Sequence, residues 1–124
     1  MSVVLDSSGW IELLAGSDRA HLFEPALRAE RLIVPSIVRY EVARYARSYR
    51  GAGGCELALT ALSKFEHFSI DADLADTAAE LAQTHKLAMA DALVYAAALI
   101  VRAELWTQDK DFDRLPNVKY FPKK

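Results

Sequence analysis

The sequence has little of what stabilises secreted proteins or anchors membrane proteins. Among its 124 residues there is a single cysteine, Cys55, so the chain can form neither an internal disulfide nor a zinc site built from cysteines. Its longest uncharged apolar run, residues 92–101, is well short of the roughly 18 residues that span a bilayer, and the N-terminus lacks the pattern of a signal peptide. We therefore expect a cytoplasmic protein that does not enter a membrane.

Positive charge is also scarce. A net charge of −2 and a pI near 5.9 exclude binding of nucleic acid through overall positive charge, so any such contact has to be local. The chain has no repeat, no low-complexity tract and no linker rich in proline or serine. With 52% hydrophobic residues it can bury a core, and we expect residues 1–124 to form one domain.

Short apolar runs alternate with stretches of helical periodicity. About five short strands are predicted, at residues 3–5, 32–34, 68–70, 105–107 and 118–121. The predicted helices are residues 7–15, a segment capped by Asp18, a segment capped by Ser36 and broken by glycines at 51–54, residues 55–67, a segment beginning at Asp71 or Asp73, and residues 90–102. This alternation predicts an α/β fold in which a mainly parallel sheet is flanked by helices.

Four acidic residues are predicted to lie at one edge of this sheet. Asp6 ends the first strand, and Asp109 follows the strand at 105–107. Glu41 falls in the second turn of a helix that follows a strand, and Asp91 falls in the first turn of the apolar helix. Ligand sites of open parallel sheets lie beyond the carboxyl ends of the strands, where these acids are expected. Taken singly, each acid also fits a helix cap, a turn or a solvated helix position.

The joint placement of the four carboxylates indicates a cation site. Two carboxylates about 5 Å apart repel each other by roughly 3 kcal/mol at an effective dielectric constant near 20, so a cluster of four requires a cation. The cluster contains no histidine or cysteine, and hard ions such as Mg²⁺ or Mn²⁺ take oxygen ligands. The sequence therefore predicts a site for Mg²⁺ or Mn²⁺.

Four short motifs resemble those of PIN-domain ribonucleases and, within that family, the VapC-type toxins of toxin–antitoxin pairs. They are an apolar strand with an aspartate and small hydroxyl residues, an S-x-x-x-x-E pattern, a segment similar to D-A-L-I-A-A and a segment similar to T-x-D-x-D-F. In this chain they stand at residues 3–8, 36–41, 89–98 and 105–112. The motifs follow the family's order, and the resemblance covers the whole chain.

The resemblance implies a PIN-like three-layer α/β fold and a Mg²⁺- or Mn²⁺-dependent endoribonuclease that cleaves single-stranded or loop RNA as a toxin. The same four acids would be its catalytic residues. Asp6 and Asp91 would be the principal metal ligands, and Asp109 a further ligand or a water-mediated support. Glu41 would be an outer ligand or would orient the attacking water. The implied partners are a VapB-type antitoxin and a second copy of the chain in a homodimer.

Three neighbouring polar residues are further candidates. Ser8 and Thr107 are placed to orient a carboxylate or a bound water, although a hydroxyl at a helix start or strand end also has purely structural uses. Asp111 is another candidate acid, and we expect it to cap the short turn before Phe112.

One predicted helix carries a local excess of positive charge. Tyrosines at positions 40, 45 and 49 alternate with its arginines, a pattern that favours tracking an RNA backbone and stacking unpaired bases. The alternative is that the tyrosines pack in the core or in a dimer interface. In VapC-like proteins this helical pair also resembles the groove that an antitoxin occupies. The candidate residues for binding RNA or antitoxin are Arg39, Arg44, Arg47 and Arg50.

Four other functions fit parts of the pattern. A structure-specific DNA nuclease of related fold is one, but it would usually need extra helical insertions to clamp a junction, and 124 residues leave no room for them. A stand-alone PIN ribonuclease in RNA processing would carry the same acids. An RNA-binding module that does not cut would be expected to lack one or more of them. A phosphoacceptor receiver domain also has acids at strand ends, but it needs an adjacent acid pair after the first strand, where this chain has Asp6 followed by Ser7 and Ser8.

Overall fold

The computed structural model describes residues 1–123, and its five strands form one sheet. All four strand pairings are parallel, and the strands lie in the order β3-β2-β1-β4-β5. The predicted α/β class with a mainly parallel sheet is confirmed. The strands are β1 Ser2–Leu5, β2 Arg31–Pro35, β3 Glu66–Phe68, β4 Glu104–Thr107 and β5 Val118–Tyr120.

The connections between the strands are mainly helical. The α5 segment, predicted to pack between other elements, buries six of its twelve residues. No helix within residues 1–123 is long and apolar enough to cross a membrane. The helices are α1 Ser7–Ala15, α2 Ala20–Phe23, α3 Ser36–Leu62, α4 Ala72–His85 and α5 Met89–Ile100, with short 3₁₀ helices at Glu24–Arg28 and Lys110–Phe112.

The order of the strands reverses beside β1. The chain places β2 and β3 on one side of β1 and then returns to place β4 and β5 on the other. Ligand crevices of open α/β sheets lie at such a reversal, beyond the carboxyl ends of the strands. Here the ends of β1 and β4 are joined by a 3.1 Å hydrogen bond from the Asp6 N–H to the Trp106 carbonyl. The order also differs from the 2-1-3-4-5 order of receiver domains and gives that alternative no support.

Gly51 divides α3 into two arms. Its φ of 70° and ψ of −170° are not helical, so the chain turns there between residues 36–50 and residues 52–62. Glycine suits this position because other residues rarely adopt a positive φ. The predicted break in the glycine-rich segment is confirmed.

Two predicted helix caps are wrong. Asp18 caps no helix, since α2 begins at Ala20 with Arg19 at its cap position and has only four residues. Pro25 lacks an N–H for the next helical hydrogen bond, so the chain continues as a 3₁₀ helix. Ser36 is the first residue of α3 and not its cap, and its hydroxyl lies 3.1 Å from His67 Nε2.

The segment between α3 and α4 also differs from the prediction. The second arm of α3 ends at Leu62, five residues before the predicted end, and the third strand comprises residues 66–68 in place of 68–70. Pairing with β2 determines this register, because Ile33 is opposite Glu66. Asp71, one of the two predicted starts of α4, caps it by accepting a 2.9 Å hydrogen bond from the Leu74 N–H.

Candidate functional site

Asp6 stands at the junction of β1 and α1 and is only 7% exposed. Its Oδ1 accepts hydrogen bonds from the Gly9 N–H at 3.2 Å and from the Ser8 hydroxyl at 2.7 Å, so it caps α1. Its Oδ2 accepts a hydrogen bond from the Thr107 hydroxyl. One carboxylate therefore combines the two roles considered for Asp6, a helix cap and an acid at the sheet edge.

Thr107 connects Asp6 to the segment that follows β4. Its hydroxyl donates to Asp6 and accepts a 3.0 Å hydrogen bond from the backbone N–H of Asp109. Because Thr107 is fully buried, bulk water does not compete for these bonds. The structure thus places Ser8 and Thr107, the two hydroxyl candidates, directly against the Asp6 carboxylate.

Asp91, Asp109 and Asp111 form the tightest acidic group among residues 1–123. Each offers one carboxylate oxygen, and these oxygens all lie within 4.8 Å of one another. Asp91 comes from the first turn of α5, and the other two come from the segment after β4. The prediction that Asp111 caps the following turn is wrong. Asp109 is the cap, since its Oδ1 accepts a 2.9 Å hydrogen bond from the Asp111 N–H.

The five acids of the site share one electrostatic field. The pKa of Asp91 is raised from 3.8 to about 6, mainly because the group is partly buried. The negative charges of Asp109 and Asp111 add to this rise, followed by those of Glu41 and Asp6. Glu41 and Asp6 therefore act on the same site although their oxygens lie outside the tight group.

Asp6 and Glu41 also have raised pKa values, so the charged form of each carboxyl group is less favoured than usual. Burial raises the pKa of Asp6, and the charge of Asp109 adds to the rise, while hydrogen bonds from Thr107, Ser8 and Gly9 oppose it. Burial likewise raises the pKa of the half-buried Glu41, helped by the Asp6 charge and opposed by a hydrogen bond from Ser7. The site concentrates negative charge that only a positive group can neutralise without protonation.

The chemistry of these side chains fits a hard divalent cation. All the donors are carboxylate oxygens, and the compact group includes neither histidine nor cysteine. Mg²⁺ and Mn²⁺ prefer such oxygen donors, and a cation would offset the mutual repulsion that adds to the effect of burial on the Asp91 pKa. Asp91, Asp109 and Asp111 are the residues placed to share the ion, with Asp6 and Glu41 beside them.

The tyrosines of α3 do not pack in the core of the chain. Tyr40, Tyr45 and Tyr49 are 59%, 40% and 70% exposed, and the last two rings have centroids 4.5 Å apart. The four candidate arginines separate by environment. Arg39 donates a 3.2 Å hydrogen bond to the Ser63 hydroxyl, and Arg47 lies 3.9 Å from the Cys55 sulfur. Arg44 lines one of two adjoining clefts, and Arg50 lines the other.

Two clefts meet along the first arm of α3. The acid-side cleft, of about 410 Å³, is lined by Tyr40, Glu41, Arg44 and Ser48, so it includes one of the five acids, Glu41. The apolar cleft, of about 570 Å³, lies between α1 and both arms of α3. It includes the exposed side chains of Leu14 and Leu57. Ile11, Tyr45 and Tyr49 line both clefts.

Some contacts of the site had no signal in the sequence. Ser7 lies within the first motif, but nothing in the sequence indicates its hydrogen bond to Glu41, which lies on another helix. Gln108 stands between Thr107 and Asp109, and its side chain contacts Glu12 and Arg19, 96 and 89 positions away. Only the folded chain brings these partners together.

Comparisons with known proteins agree with this fold. The PIN domain family profile matches residues 3–118. No curated protein sequence matches the chain. Among solved structures, a toxin–antitoxin complex from Klebsiella pneumoniae contains a chain that is 28% identical, with a TM-score of 0.85. That match covers 98% of this chain and 99% of the other.

Two more distant structures share the fold. VapBC2 from Rickettsia felis, bound to a DNA fragment from its promoter, is 19% identical with a TM-score of 0.77, and the match covers 98% of each chain. VapC20 from Mycobacterium tuberculosis, a toxin that cleaves the sarcin–ricin loop, is 18% identical with a TM-score of 0.78, and the match covers 92% of this chain and 95% of the other. Because the family profile spans nearly the whole sequence, the chain belongs to the PIN domain family.

Proposed function

We propose that this protein is a divalent-metal-dependent endoribonuclease that serves as the toxin of a toxin–antitoxin pair. One observation carries the proposal: the clustered carboxylates of Asp91, Asp109 and Asp111 at the reversal of the strand order, whose shared charge helps to raise the pKa of Asp91 to about 6. Membership of the PIN domain family and the likeness to a chain of a toxin–antitoxin complex support the same reading.

Each acid is assigned a part in phosphodiester hydrolysis. We assign Asp6, Asp91 and Asp109 as the metal ligands that the family resemblance implies, and we add Asp111 because one of its carboxylate oxygens lies within 4.8 Å of those of Asp91 and Asp109. Mg²⁺ or Mn²⁺ held by these acids would supply Lewis-acid stabilisation of phosphoryl charge and would make the attacking water easier to deprotonate. Glu41, whose pKa is raised by burial, is assigned to orient the attacking water and accept its proton.

RNA binds, in this proposal, along the acid-side cleft. Arg44 provides a positive charge for a phosphate, and the exposed ring of Tyr40 provides a face on which an unpaired base can stack. The cleft includes Glu41, so a nucleotide held there continues towards the clustered acids. Single-stranded or loop RNA fits this arrangement, because bases in a duplex are not free to stack on a side chain.

A VapB-type antitoxin occupies the apolar cleft, in this proposal. Leu57 is 76% exposed and Leu14 is 42% exposed, so an amphipathic segment that covers them would bury apolar surface left open in the single chain. A basic residue of the same segment would reach the negative site and block the cation. We further propose that the toxin acts in the cytoplasm as a homodimer.

The nuclease activity is tested with single-stranded RNA and purified protein. We expect cleavage with Mg²⁺ or Mn²⁺ and none with EDTA. Asp91→Asn, purified in the same way, controls for a contaminating ribonuclease and should be inactive. Cleavage of equal rate in EDTA, or by the variant, would overturn the proposal.

The toxin role needs a separate test. We would co-express the chain with the product of its neighbouring gene, purify the pair and measure RNA cleavage. A neighbour that binds and protects the RNA supports the role. If it neither binds nor protects, while the isolated chain still cleaves RNA, the protein is a stand-alone PIN ribonuclease.

A further inference from the structure

Gln108 is a buried amide placed between two residues of the site. It is 5% exposed and lies between Thr107, which contacts Asp6, and Asp109, which belongs to the acidic group. The Gln108 side chain contacts Glu12 and Arg19, whereas the Thr107 side chain contacts Asp6, so these two neighbours in sequence have different partners. Both ends of its amide are used: Nε2 donates to Glu12 Oε2 at 2.7 Å, and Oε1 accepts from Arg19 Nε at 2.7 Å.

The two partners of Gln108 are themselves tied to other elements. Glu12 lies on α1, and its second oxygen accepts a 2.6 Å hydrogen bond from the Ser17 hydroxyl. Arg19 lies before α2, and its Nη2 donates to the carbonyls of Phe121 at 3.1 Å and Pro122 at 3.4 Å. The Gln108 side chain is therefore held from both sides by groups with little freedom to move.

We propose that Glu12, Gln108 and Arg19 form a positioning network for the cation site. By fixing Gln108, the network holds residues 107–109 in the path that keeps the Thr107 hydroxyl on Asp6 and the Asp109 carboxylate beside Asp91. The inference rests on the proposed function, because the ligand concerned is its divalent cation. None of the three side chains belongs to the acidic group, so they act through Thr107 and Asp109.

The polarity of the network gives a sharp test. Gln108→Glu places a second carboxylate against Glu12, so the hydrogen bond between them is lost and the two charges repel. Adding Glu12→Gln restores each hydrogen-bond partner with the middle bond reversed: the amide introduced at position 12 would donate to the new carboxylate at position 108, which would accept from Arg19. The negative charge that lies 3.9 Å from Arg19 Nε on Glu12 moves to position 108. The double variant keeps the net charge of the three positions.

Mn²⁺ affinity of the purified full chain is the readout, measured by isothermal titration calorimetry. Removal of groups that orient metal ligands typically weakens binding 10- to 100-fold, so we expect the Mn²⁺ Kd of Gln108→Glu to rise at least 10-fold. The double variant should recover most of that loss, which means a Mn²⁺ Kd within about threefold of the wild-type value. Gln108→Leu, which removes the amide without adding charge, should also bind Mn²⁺ at least 10-fold more weakly than the wild type. It replaces Gln108→Glu in the test if Gln108→Glu fails to fold.

A matched control lies at the opposite end of the sheet. Arg31 and Glu66 form an exposed ion pair between β2 and β3, so Glu66→Gln removes a side-chain contact far from the acids and should leave the Mn²⁺ Kd unchanged. The positioning role would be overturned if folded Gln108→Leu has an unchanged Mn²⁺ Kd, or if the double variant does not regain Mn²⁺ affinity. If the wild-type chain itself binds no Mn²⁺, the proposed function fails first.

Discussion

Thr107 donates its hydroxyl hydrogen to the carboxylate of Asp6, 101 positions earlier in the chain, and accepts the backbone N–H of Asp109 in return. A single buried hydroxyl thus joins the end of β1 to the segment that carries two of the clustered acids. Asp6 keeps a defined orientation because its other oxygen is fixed by α1. The stability of the fold and the geometry of the site depend on the same hydrogen bonds.

Replacing Thr107 by valine tests this link. Valine has nearly the same shape but leaves Asp6 Oδ2 without a donor and the Asp109 N–H without an acceptor. Leaving buried polar groups unpaired costs about 1–3 kcal/mol, so the free energy of unfolding should fall by that amount in urea titrations. RNA cleavage should fall as well. Thr107→Ser retains the hydroxyl and should keep more of the stability and more of the RNA cleavage than Thr107→Val does. Equal losses in the two variants would show that the methyl group matters and not the hydrogen bond.

Asp91→Asn should stabilise the metal-free protein at neutral pH. The pKa of Asp91 is about 6 when folded and 3.8 ordinarily, so the folded state holds this proton more tightly than the unfolded state. The stability of the wild type therefore falls as pH rises from about 4 to about 6 and stays low above that range. The group is partly exposed, so solvent screening reduces the expected gain at pH 7 to on the order of 1 kcal/mol.

Urea unfolding in EDTA between pH 4 and pH 7.5 measures this effect. Between pH 4 and pH 6, the free energy of unfolding should depend less steeply on pH in Asp91→Asn than in the wild type. Asp76→Asn, at an exposed position of α4, controls for the general loss of one negative charge. Parallel pH profiles of the wild type and Asp91→Asn would contradict the raised pKa.

Much of the site was predictable because its main acids lie next to local signals. Asp6 and Asp109 follow apolar strand runs, and Asp91 begins an apolar helix, so the parallel topology alone brings them to one edge. The role of Asp111 was not predictable in this way. Asp109 and Asp111 are both able to cap the same short helix, and only the backbone geometry shows that Asp109 caps it while Asp111 joins the acids.

The network around Gln108 illustrates what a single sequence does not contain. Glu12 and Arg19 occupy ordinary positions on and after α1, and no spacing connects them to residue 108. Similarly, the repeated tyrosines of α3 predict a surface or a core equally well, because helical periodicity does not say which face is covered. Their exposure and the division into two clefts are properties of the packed structure.

Divalent cation should stabilise the folded chain in proportion to its binding. A ligand that binds only the folded state adds about 2.7 kcal/mol at 100 times its Kd, which raises the melting temperature. We expect Mn²⁺ to raise the melting temperature of the wild type in a thermal melt followed by circular dichroism, and EDTA to reverse the rise. Asp91→Asn should respond weakly, while Asp76→Asn should respond like the wild type. An equal shift in all three proteins would place the ion away from the acidic group.

The two clefts allow RNA and antitoxin binding to be separated. Tyr40→Ala removes a stacking surface from the acid-side cleft, and the loss of one base–aromatic stack, about 1–2 kcal/mol, should raise the KM for RNA roughly 5- to 30-fold. Leu57→Asp places a charge in the apolar cleft and should weaken antitoxin binding while leaving RNA cleavage by the free toxin unchanged. Because both side chains are largely exposed, neither change should unfold the chain. The measurements are RNA cleavage kinetics and calorimetric titration with the antitoxin.

Since Tyr45 and Tyr49 border both clefts, Tyr49→Ala should weaken both RNA cleavage and antitoxin binding. A Leu57→Asp variant that loses RNA cleavage would show that the clefts act as one surface.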